Sequence, residues 1–429
     1  MTESERMLTC RRQALVIHPN YLLRNIMLRE MKSRWIELTP EGRAHAALGL
    51  LRDQQYELAY DKLKEMIRER VPFPPWVYDI FICTFTQMGF VDEAFSILQS
   101  QRQLADDKYA VSLSVLYFLL DECSRALHYE GTQYVWREMT ETGILNPPDG
   151  IILNSLNTFA RHGDVELATQ AIQHLSSRGV KLGMHHYEAL IDCYSAAEDV
   201  ENAIRVLCIM NSAGVKSDDS ATRSIFTLLK HAPNRTDAAV DALFALRADH
   251  DIPISAFNAV VEALCQKGDT DKATGLYQQV RQLCRSGPDE TTFKHLLSGH
   301  PRSEVVGFLL AEMEVFGVKL TLAMYNDLVC SYALDMDGSL DDAFRTVREV
   351  EDESLRIGDT GAWLSKYSVL VLAERCFKDE DPRIWHVVDG ARLRGMDVED
   401  DVQKLSAKWD PAMAEPSSAT SASSQPTAG

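Results

Sequence analysis

The sequence lacks the features that mark several common classes of protein. Its nine cysteines are odd in number, scattered and never in CxxC spacing, which suits a reducing compartment and argues against a disulfide framework or a zinc site. No apolar run approaches the ~18–20 residues that a membrane-spanning helix needs. We therefore expect a soluble protein without disulfides or a structural metal.

Basic residues are also scarce. The 429 residues include 44 Lys and Arg against 63 Asp and Glu, which gives a formal net charge of −19 and a pI near 5.1. This balance excludes a wholly basic nucleic-acid-binding surface, although it is compatible with a local basic stripe. Phosphate loops, GxSxG elbows and paired metal ligands are absent too. The sequence predicts a non-enzyme that needs no cofactor.

What the sequence does contain is a repeat of about 35 residues. The hydrophobic content of 45% is enough for a sizeable core, and small residues recur at the repeat period. The alanines are Ala59 and Ala94 in an early register, then Ala168, Ala203, Ala238, Ala273 and Ala343, and glycines that close helices are Gly143, Gly179, Gly214, Gly317 and Gly395. Two such series together indicate an array of similar units.

Each unit predicts two helices. In residues 184–218 the first helix carries an apolar stripe at helical spacing over 187–194. Asp199 precedes the second helix, where an acid complements the helix dipole, and Gly214 ends it, where a left-handed residue fits. A single pair cannot bury its apolar face, so the pairs must stack. The pattern predicts an α-solenoid.

These units resemble the pentatricopeptide repeat. They share Met…Gly-Val-Lys at 313–319, Tyr-Asn near the start of 322–358 and Lys-Gly in the turn of 254–288. The resemblance covers roughly residues 40–397 and is close in 184–218. It implies an all-α fold, a right-handed α-solenoid superhelix of about nine to ten stacked antiparallel helix pairs. It also implies binding of single-stranded RNA, usually in mitochondria or plastids, at about one base per repeat.

In that family the fifth and last residues of each unit read a base edge. Carried over to this sequence, the positions give the RNA-binding candidates Asp79, Glu188, Arg223, Asn258, Lys294 and Asn326 at fifth positions, with Asp218 and Asp289 at last positions. Asp289 takes this role only if its unit is one residue longer than 254–288. Only two of the fifth residues are amides, and Ser and Thr are absent from these positions. No target sequence can therefore be predicted.

Equivalent positions of stacked repeats share one surface. We therefore expect Arg223, Asn258, Lys294 and Asn326 to face a common groove. Arg223 and Lys294, with the Lys-His pair at 230–231 nearby, would form a short basic stripe that contacts phosphates.

The repeats divide the sequence into three parts. Residues 1–39 are predicted to be an N-terminal helical segment, either a degenerate repeat or the remnant of a targeting region. Residues 40–397 hold the array, and residues 398–429 are predicted to be an acidic and then Ser/Ala/Thr/Pro-rich disordered tail. Early acids at Glu3 and Glu5 are atypical of a transit peptide. A location in the mitochondrial matrix follows from the family resemblance alone.

Two other functions stay open. One is a protein-binding scaffold of the same fold, such as a ribosome-associated component or a respiratory-complex assembly factor, which the departures from the reading pattern and the charge of −19 favour. The other is a cytosolic helical-repeat adaptor. Acidic runs such as 349–355 are either solvated helix ends or contacts for a basic protein partner.

Overall fold

The chain is helical wherever its structure is described. The computed structural model describes residues 20–104, 112–140, 143–144, 146–217, 219–300, 302–357 and 363–409, and within these ranges there are 23 helices and no strand. They form two compact units, residues 1–197 and residues 198–429, called unit 1 and unit 2. Each unit is a stack of antiparallel helix pairs, so the predicted all-α, α-solenoid fold is confirmed. The handedness of a superhelix stays a prediction.

Unit 1 contains ten described helices. They are α1 (Tyr21–Ser33), α2 (Pro40–Arg52), α3 (Tyr56–Arg68), α4 (Trp76–Gln87), α5 (Val91–Leu104), α6 (Leu113–Arg125), α7 (Tyr129–Val135), α8 (Asp149–Arg161), α9 (Val165–Ser177) and α10 (Met184–Ala196). A π-helical turn, Trp136–Thr140, extends α7.

Unit 2 contains thirteen described helices. They are α11 (Val200–Ser212), α12 (Asp219–His231), α13 (Thr236–Leu246), α14 (Ile254–Lys267), α15 (Thr270–Tyr277), α16 (Val280–Leu283), α17 (Glu290–Ser298), α18 (Ser303–Phe316), α19 (Leu322–Leu334), α20 (Leu340–Ile357), α21 (Lys366–Lys378), α22 (Ile384–Leu393) and α23 (Glu399–Trp409). No helix in the described part of the chain is both long and apolar enough to cross a membrane.

The first helix of each repeat packs on the first helices of its neighbours. These contacts run through α4, α6, α8 and α10 in unit 1, and through α12, α14, α17, α19 and α21 in unit 2. Aromatic side chains fill the space between the layers: Phe257 on α14 and Phe293 on α17 are both 0% exposed. Burying a side chain of this size contributes about 1.5–3 kcal/mol, so the stacking of first helices is a main source of stability.

Two of the acids at the starts of second helices act as caps. Asp164 Oδ1 accepts a hydrogen bond from the backbone N–H of Leu167 at 3.1 Å, and Asp199 Oδ1 accepts one from Asn202 at 3.1 Å. Each bond satisfies an amide that the helix itself leaves without a partner. The repeated acids at these positions therefore have a local structural role.

The small residues of the repeat lie where two helices approach closely. Ala59, Ala94, Ala168, Ala203, Ala273 and Ala343 are all 0% exposed. The glycines that close second helices have left-handed backbone, with φ of 77° at Gly214 and 67° at Gly317, a conformation that costs residues with a Cβ more than it costs glycine.

One alanine of the predicted grid was placed wrongly. Ala238 is exposed, and its neighbour Ala239 is 0% exposed and packs in the core. A 3₁₀ turn at Pro233–Arg235 precedes α13 and shifts the inward-facing position by one residue.

The predicted tail also begins too early. Residues 399–409 form α23, which packs on α21, and Val398 and Val402 are 0% and 1% exposed. The assignment of residues 398–409 to a disordered tail is therefore wrong, because these two valines give the acidic segment an apolar face. Residues 410–429 lie outside the described residues, as do residues 1–19 of the predicted N-terminal segment, in which α1 occupies residues 21–33.

Candidate nucleic-acid interface

Three consecutive first helices of unit 2 line an open groove. The helices α12, α14 and α17 present equivalent positions to the same side, and the groove between them has a volume of about 710 Å³. Arg223, Asn258 and Lys294 are among its lining residues. The structure thus brings together three of the residues that the repeat register predicts at fifth positions.

Three cations line this groove. Arg223 and Lys294 come from fifth positions, and Lys216 comes from the segment before α12. All three side chains are exposed, and none of them lies within salt-bridge distance of a carboxylate in the described ranges. Lys216 was missed at the sequence level, although it belongs to the repeated Gly-Val-Lys ending. That ending delivers a cation to the groove as well as closing a helix.

The carboxylates that line the groove differ from the cations because each lies beside a donor group. Arg285 Nε is 3.8 Å from Asp251 Oδ1, His295 Nε2 is 3.7 Å from Glu262 Oε2, and Asn258 Nδ2 donates to Asp289 Oδ1 at 3.0 Å. Groups from adjacent repeats therefore pair with these carboxylates, and the guanidinium of Arg285 partly offsets the charge of Asp251. No carboxylate of the described residues lies within salt-bridge distance of the three cations, so the groove can attract an anion even though the protein as a whole is acidic.

Asn258 is buried in a network that joins α14 to α17. Its side chain is 5% exposed. Besides the bond to Asp289, its Oδ1 accepts a hydrogen bond from Thr292 Oγ1 at 2.7 Å. Asp289 caps α17 by accepting from the Thr292 backbone N–H at 2.9 Å, and the Asp289 N–H donates back to Thr292 Oγ1 at 3.1 Å. The amide of Asn258 therefore fastens the next repeat, in addition to any contact with a ligand.

The same geometry recurs at two other fifth positions. Asn326 Oδ1 accepts from the backbone N–H of Ser365, the cap of α21, at 2.6 Å, and from Ser368 Oγ at 2.8 Å. In unit 1 the backbone N–H of Ser112, which precedes α6, donates to the carboxylate of Asp79. The fifth residue of one repeat thus contacts the start of the next first helix. Asn258 and Asp289, the candidates for the two reading positions of one repeat, thus lie side by side.

Lys294 also lies near a buried acid beyond the groove lining. Burial raises the pKa of Asp327 on α19 to about 6, and the positive charge of Lys294 opposes this rise. Ionised Asp327 in turn attracts Lys294 and weakens its pull on other anions.

The remaining candidates lie elsewhere. Asn326 is not among the residues that line this groove, and its side chain bonds to the cap of α21 as that of Asn258 bonds to the cap of α17. The expectation that all four residues share one surface stays a prediction. Glu188 is half-buried on α10 in unit 1, and Asp218 lies outside the described residues. The Lys-His pair at 230–231 is exposed at the end of α12 and does not line the groove either.

Among the described residues there is no cluster of three or more His, Cys, Asp or Glu side chains that could hold a metal ion. Burial raises the pKa of the Cys265 and Cys284 thiols to about 12, so neither is a nucleophile near neutral pH.

Comparison with known proteins supports the class that the repeats indicate. A family model described as "Pentatricopeptide repeat-containing protein" matches residues 149–280, which hold α8 to α16. The resemblance is therefore confirmed, and residues 149–280 are similar to pentatricopeptide repeat-containing proteins. No curated protein matches the sequence significantly.

Several solved structures of helical-repeat proteins are similar to the chain. Maize PPR10 in complex with an 18-nt psaJ RNA element is 17% identical over 91% of this chain and 59% of that one, with a TM-score of 0.36. Yeast Rmd9p in complex with its 16-nt target RNA is 13% identical over 95% of this chain and 91% of that one, with a TM-score of 0.42. Naa15/Naa10 bound to HypK-THB is 14% identical over 96% of this chain and 64% of that one, with a TM-score of 0.33.

The chain spans about three fifths of the length of PPR10. Similarity at these identities concerns the fold alone, and the TM-scores are too low to carry a functional argument. The function is therefore argued from the side chains of this protein.

Proposed function

We propose that the chain binds single-stranded RNA along the groove of unit 2. The observation that carries this proposal is the set of three exposed cations, Lys216, Arg223 and Lys294, which line one groove beyond salt-bridge distance of every described carboxylate. Each can neutralise one phosphate of a strand that runs along the first helices. The match of residues 149–280 to pentatricopeptide repeats supports the same ligand.

The Asn258–Asp289 pair supplies the polar groups that a base edge would meet. Asn258 uses one of its two Nδ2 hydrogens in the bond to Asp289, and all three bonds to the Asp289 carboxylate use Oδ1. A second amide hydrogen and the other carboxylate oxygen are left for a base. Since the cations and this pair lie in four consecutive repeats, the contact covers a short stretch of RNA, and affinity depends more on phosphates than on sequence.

The biological setting follows from the family resemblance. Proteins with such arrays usually act in mitochondria or plastids, and on this resemblance we propose the mitochondrial matrix for this chain. There it would act without catalysis in transcript stability, processing or translation.

A protein scaffold of the same fold is the second candidate. The net charge of −19 favours it, because a strongly acidic protein is a poor ligand for RNA outside a local basic groove. The two candidates differ in one simple property, which is affinity for RNA at low salt.

The test is direct binding of the purified full-length chain to a pool of mitochondrial transcripts, with duplex RNA of matched length as the control. The proposal expects binding to the single strands and weaker binding to the duplex, whose bases cannot reach the amide pair. Binding of neither at low salt would reject the proposal in favour of the scaffold.

A further inference from the structure

The groove of unit 2 contains an aromatic side chain that the contacts with phosphates and base edges leave unused. Phe226 lies on α12, about one helical turn after Arg223, and both residues line the groove. The side chain of Phe226 is half-buried, so part of its apolar surface stays accessible. Single apolar residues are common on protein surfaces. The surroundings of Phe226 therefore decide what it can bind.

The ring of Phe226 has no neighbouring ring to pack on. Two other partly exposed phenylalanines of unit 2 have such partners: the ring centroid of Phe308 is 6.1 Å from that of Tyr277, and that of Phe316 is 6.4 Å from that of Phe293. Among the described residues, no aromatic ring or cation lies against Phe226. The ring therefore keeps its capacity to stack with a planar group that enters the groove.

The lining of the groove combines three kinds of chemistry. Arg223 carries a positive charge, Phe226 and Ile254 add apolar surface, and Asn258 adds an amide, and all four residues line the same groove. A nucleotide has the matching parts, which are an anionic phosphate, apolar base faces and a polar base edge. The groove volume of about 710 Å³ is within the range of sites that enclose a small ligand. This lining suits a nucleotide with an unstacked base better than a bare phosphate.

We propose that Phe226 is the platform on which one unpaired base stacks, beside the phosphate that Arg223 contacts. The inference rests on the proposed binding of single-stranded RNA and adds a contact with the face of a base. Every base has such a face, so stacking adds affinity without requiring a particular sequence. The bases of a duplex already stack on one another, so Phe226 also favours single strands over duplex RNA.

Substitution of Phe226 separates stacking from charge, because stacking depends little on salt. We expect Phe226→Ala to weaken binding of a single-stranded RNA by about fivefold to hundredfold. The slope of log affinity against log salt should stay that of the parent, unlike the slope after charge reversal at Arg223 or Lys294. Phe226→Leu keeps apolar bulk without a ring and should also weaken binding, whereas Phe226→Trp should bind at least as tightly as the parent. Filter binding at several salt concentrations measures both quantities.

Tryptophan fluorescence gives a readout that a purely structural role of Phe226 would not change. A base that stacks on the indole ring of Phe226→Trp should quench its emission, measured as the difference from the parent. The matched control is Phe244→Trp, because Phe244 is 38% exposed on α13 and does not line the groove. We expect RNA to quench Phe244→Trp no more than the parent. An oligonucleotide of the same length without bases should not quench Phe226→Trp.

The outcomes distinguish this inference from the proposed function. If Phe226→Ala and Phe226→Leu bind RNA like the parent, or if RNA adds no quenching in Phe226→Trp, the stacking contact is refuted. Charge reversal at Arg223 and Lys294 that still weakens binding would then leave the proposed function standing, whereas a parent that binds no RNA would refute both. Should Phe226→Ala melt at too low a temperature for binding measurements, the quenching of Phe226→Trp decides the matter, because this variant keeps an aromatic ring.

Discussion

Charge reversal in the groove of unit 2 gives a quantitative test of the RNA proposal. The variant R223E/K294E removes two of three phosphate contacts and leaves Lys216. For single strands, log affinity falls with log salt by about 0.7 per contact, so we expect slopes of about −2.1 for the parent and about −0.7 for the variant. Between 50 and 200 mM salt, affinity should then drop about 18-fold for the parent and about 2.6-fold for the variant.

The same slopes give the loss of affinity at each salt concentration. If the two binding curves converge near 1 M salt, where the electrostatic contribution vanishes, the variant should bind about 70-fold more weakly at 50 mM and about tenfold more weakly at 200 mM. Filter binding of a labelled single-stranded RNA across this range measures both quantities. The reversed charges also repel the strand, so these losses are lower bounds.

A matched control carries the same change of net charge outside the groove. Lys272 on α15 forms an ion pair with Asp237 at 2.8 Å, and Lys404 on α23 is 76% exposed. K272E/K404E should keep the slope of the parent. Equal effects of the two double variants would show that RNA responds to net charge alone, and an unchanged slope in R223E/K294E would refute the assignment of these side chains to phosphates.

Three further predictions concern the repeats. Asn258→Ala removes two bonds from a buried network and should lower the free energy of unfolding by about 1–3 kcal/mol, while changing base preference more than overall RNA affinity. Ala239→Leu should cost about 1–3 kcal/mol by overpacking the helix pair, whereas Ala238→Leu should be nearly neutral because that residue is exposed. Asp327→Asn should stabilise the protein at pH 7 by about 1–2 kcal/mol and should give no gain near pH 3.5.

The sign of the last prediction follows from the direction of the pKa change. The folded-state pKa of Asp327, about 6, lies above its ordinary value of 3.8, so ionisation costs more in the folded chain than in the unfolded one. The cost is absent below about pH 4, grows up to about pH 6 and is complete above it. The difference between the two pKa values corresponds to about 3 kcal/mol. Solvent screens a half-buried side chain, so the expected stabilisation is the smaller value of about 1–2 kcal/mol.

Thermal melts at several pH values measure the stability of these variants. Their base preference is measured by binding to RNAs that differ at one position. A destabilising Ala238→Leu together with a neutral Ala239→Leu would contradict the revised register. Stabilisation by Asp327→Asn that persists at pH 3.5 would mean that the effect does not arise from ionisation. If Asn258→Ala melts like the parent, the network between α14 and α17 adds no net stability.

Most of the fold could be predicted from local patterns in the sequence. The periods of alanine and glycine predicted the helix pairs because each of these residues meets a constraint within its own unit. Ala203 lies where two helices pack closely, and Gly214 adopts the left-handed backbone that ends a helix. Errors arose where a short insertion or a weak stripe altered the pattern. The turn at Pro233–Arg235 moved Ala239 into the core, and the spacing of Val398 and Val402 within an acidic segment was the missed signal for α23.

The site was less accessible from sequence because its chemistry depends on contacts between units. The repeat register placed Arg223, Asn258 and Lys294 on one side. It could not show that Asn258 would be held by Asp289 and Thr292 of the next repeat. The Asp-x-x-Thr spacing at 289–292 is a capping pattern, and it was the available signal for that bond.

The most direct test of the central claim is ultraviolet crosslinking of a bound single-stranded RNA to the full-length chain, followed by mass spectrometry of the crosslinked peptides. RNA that lies in the groove of unit 2 should crosslink to peptides from residues 211–231, 251–267 and 286–298, which contain the lining side chains. Crosslinks confined to the second helices, such as α13 and α18, or to the starts of α4 and α6 in unit 1, would contradict the claim.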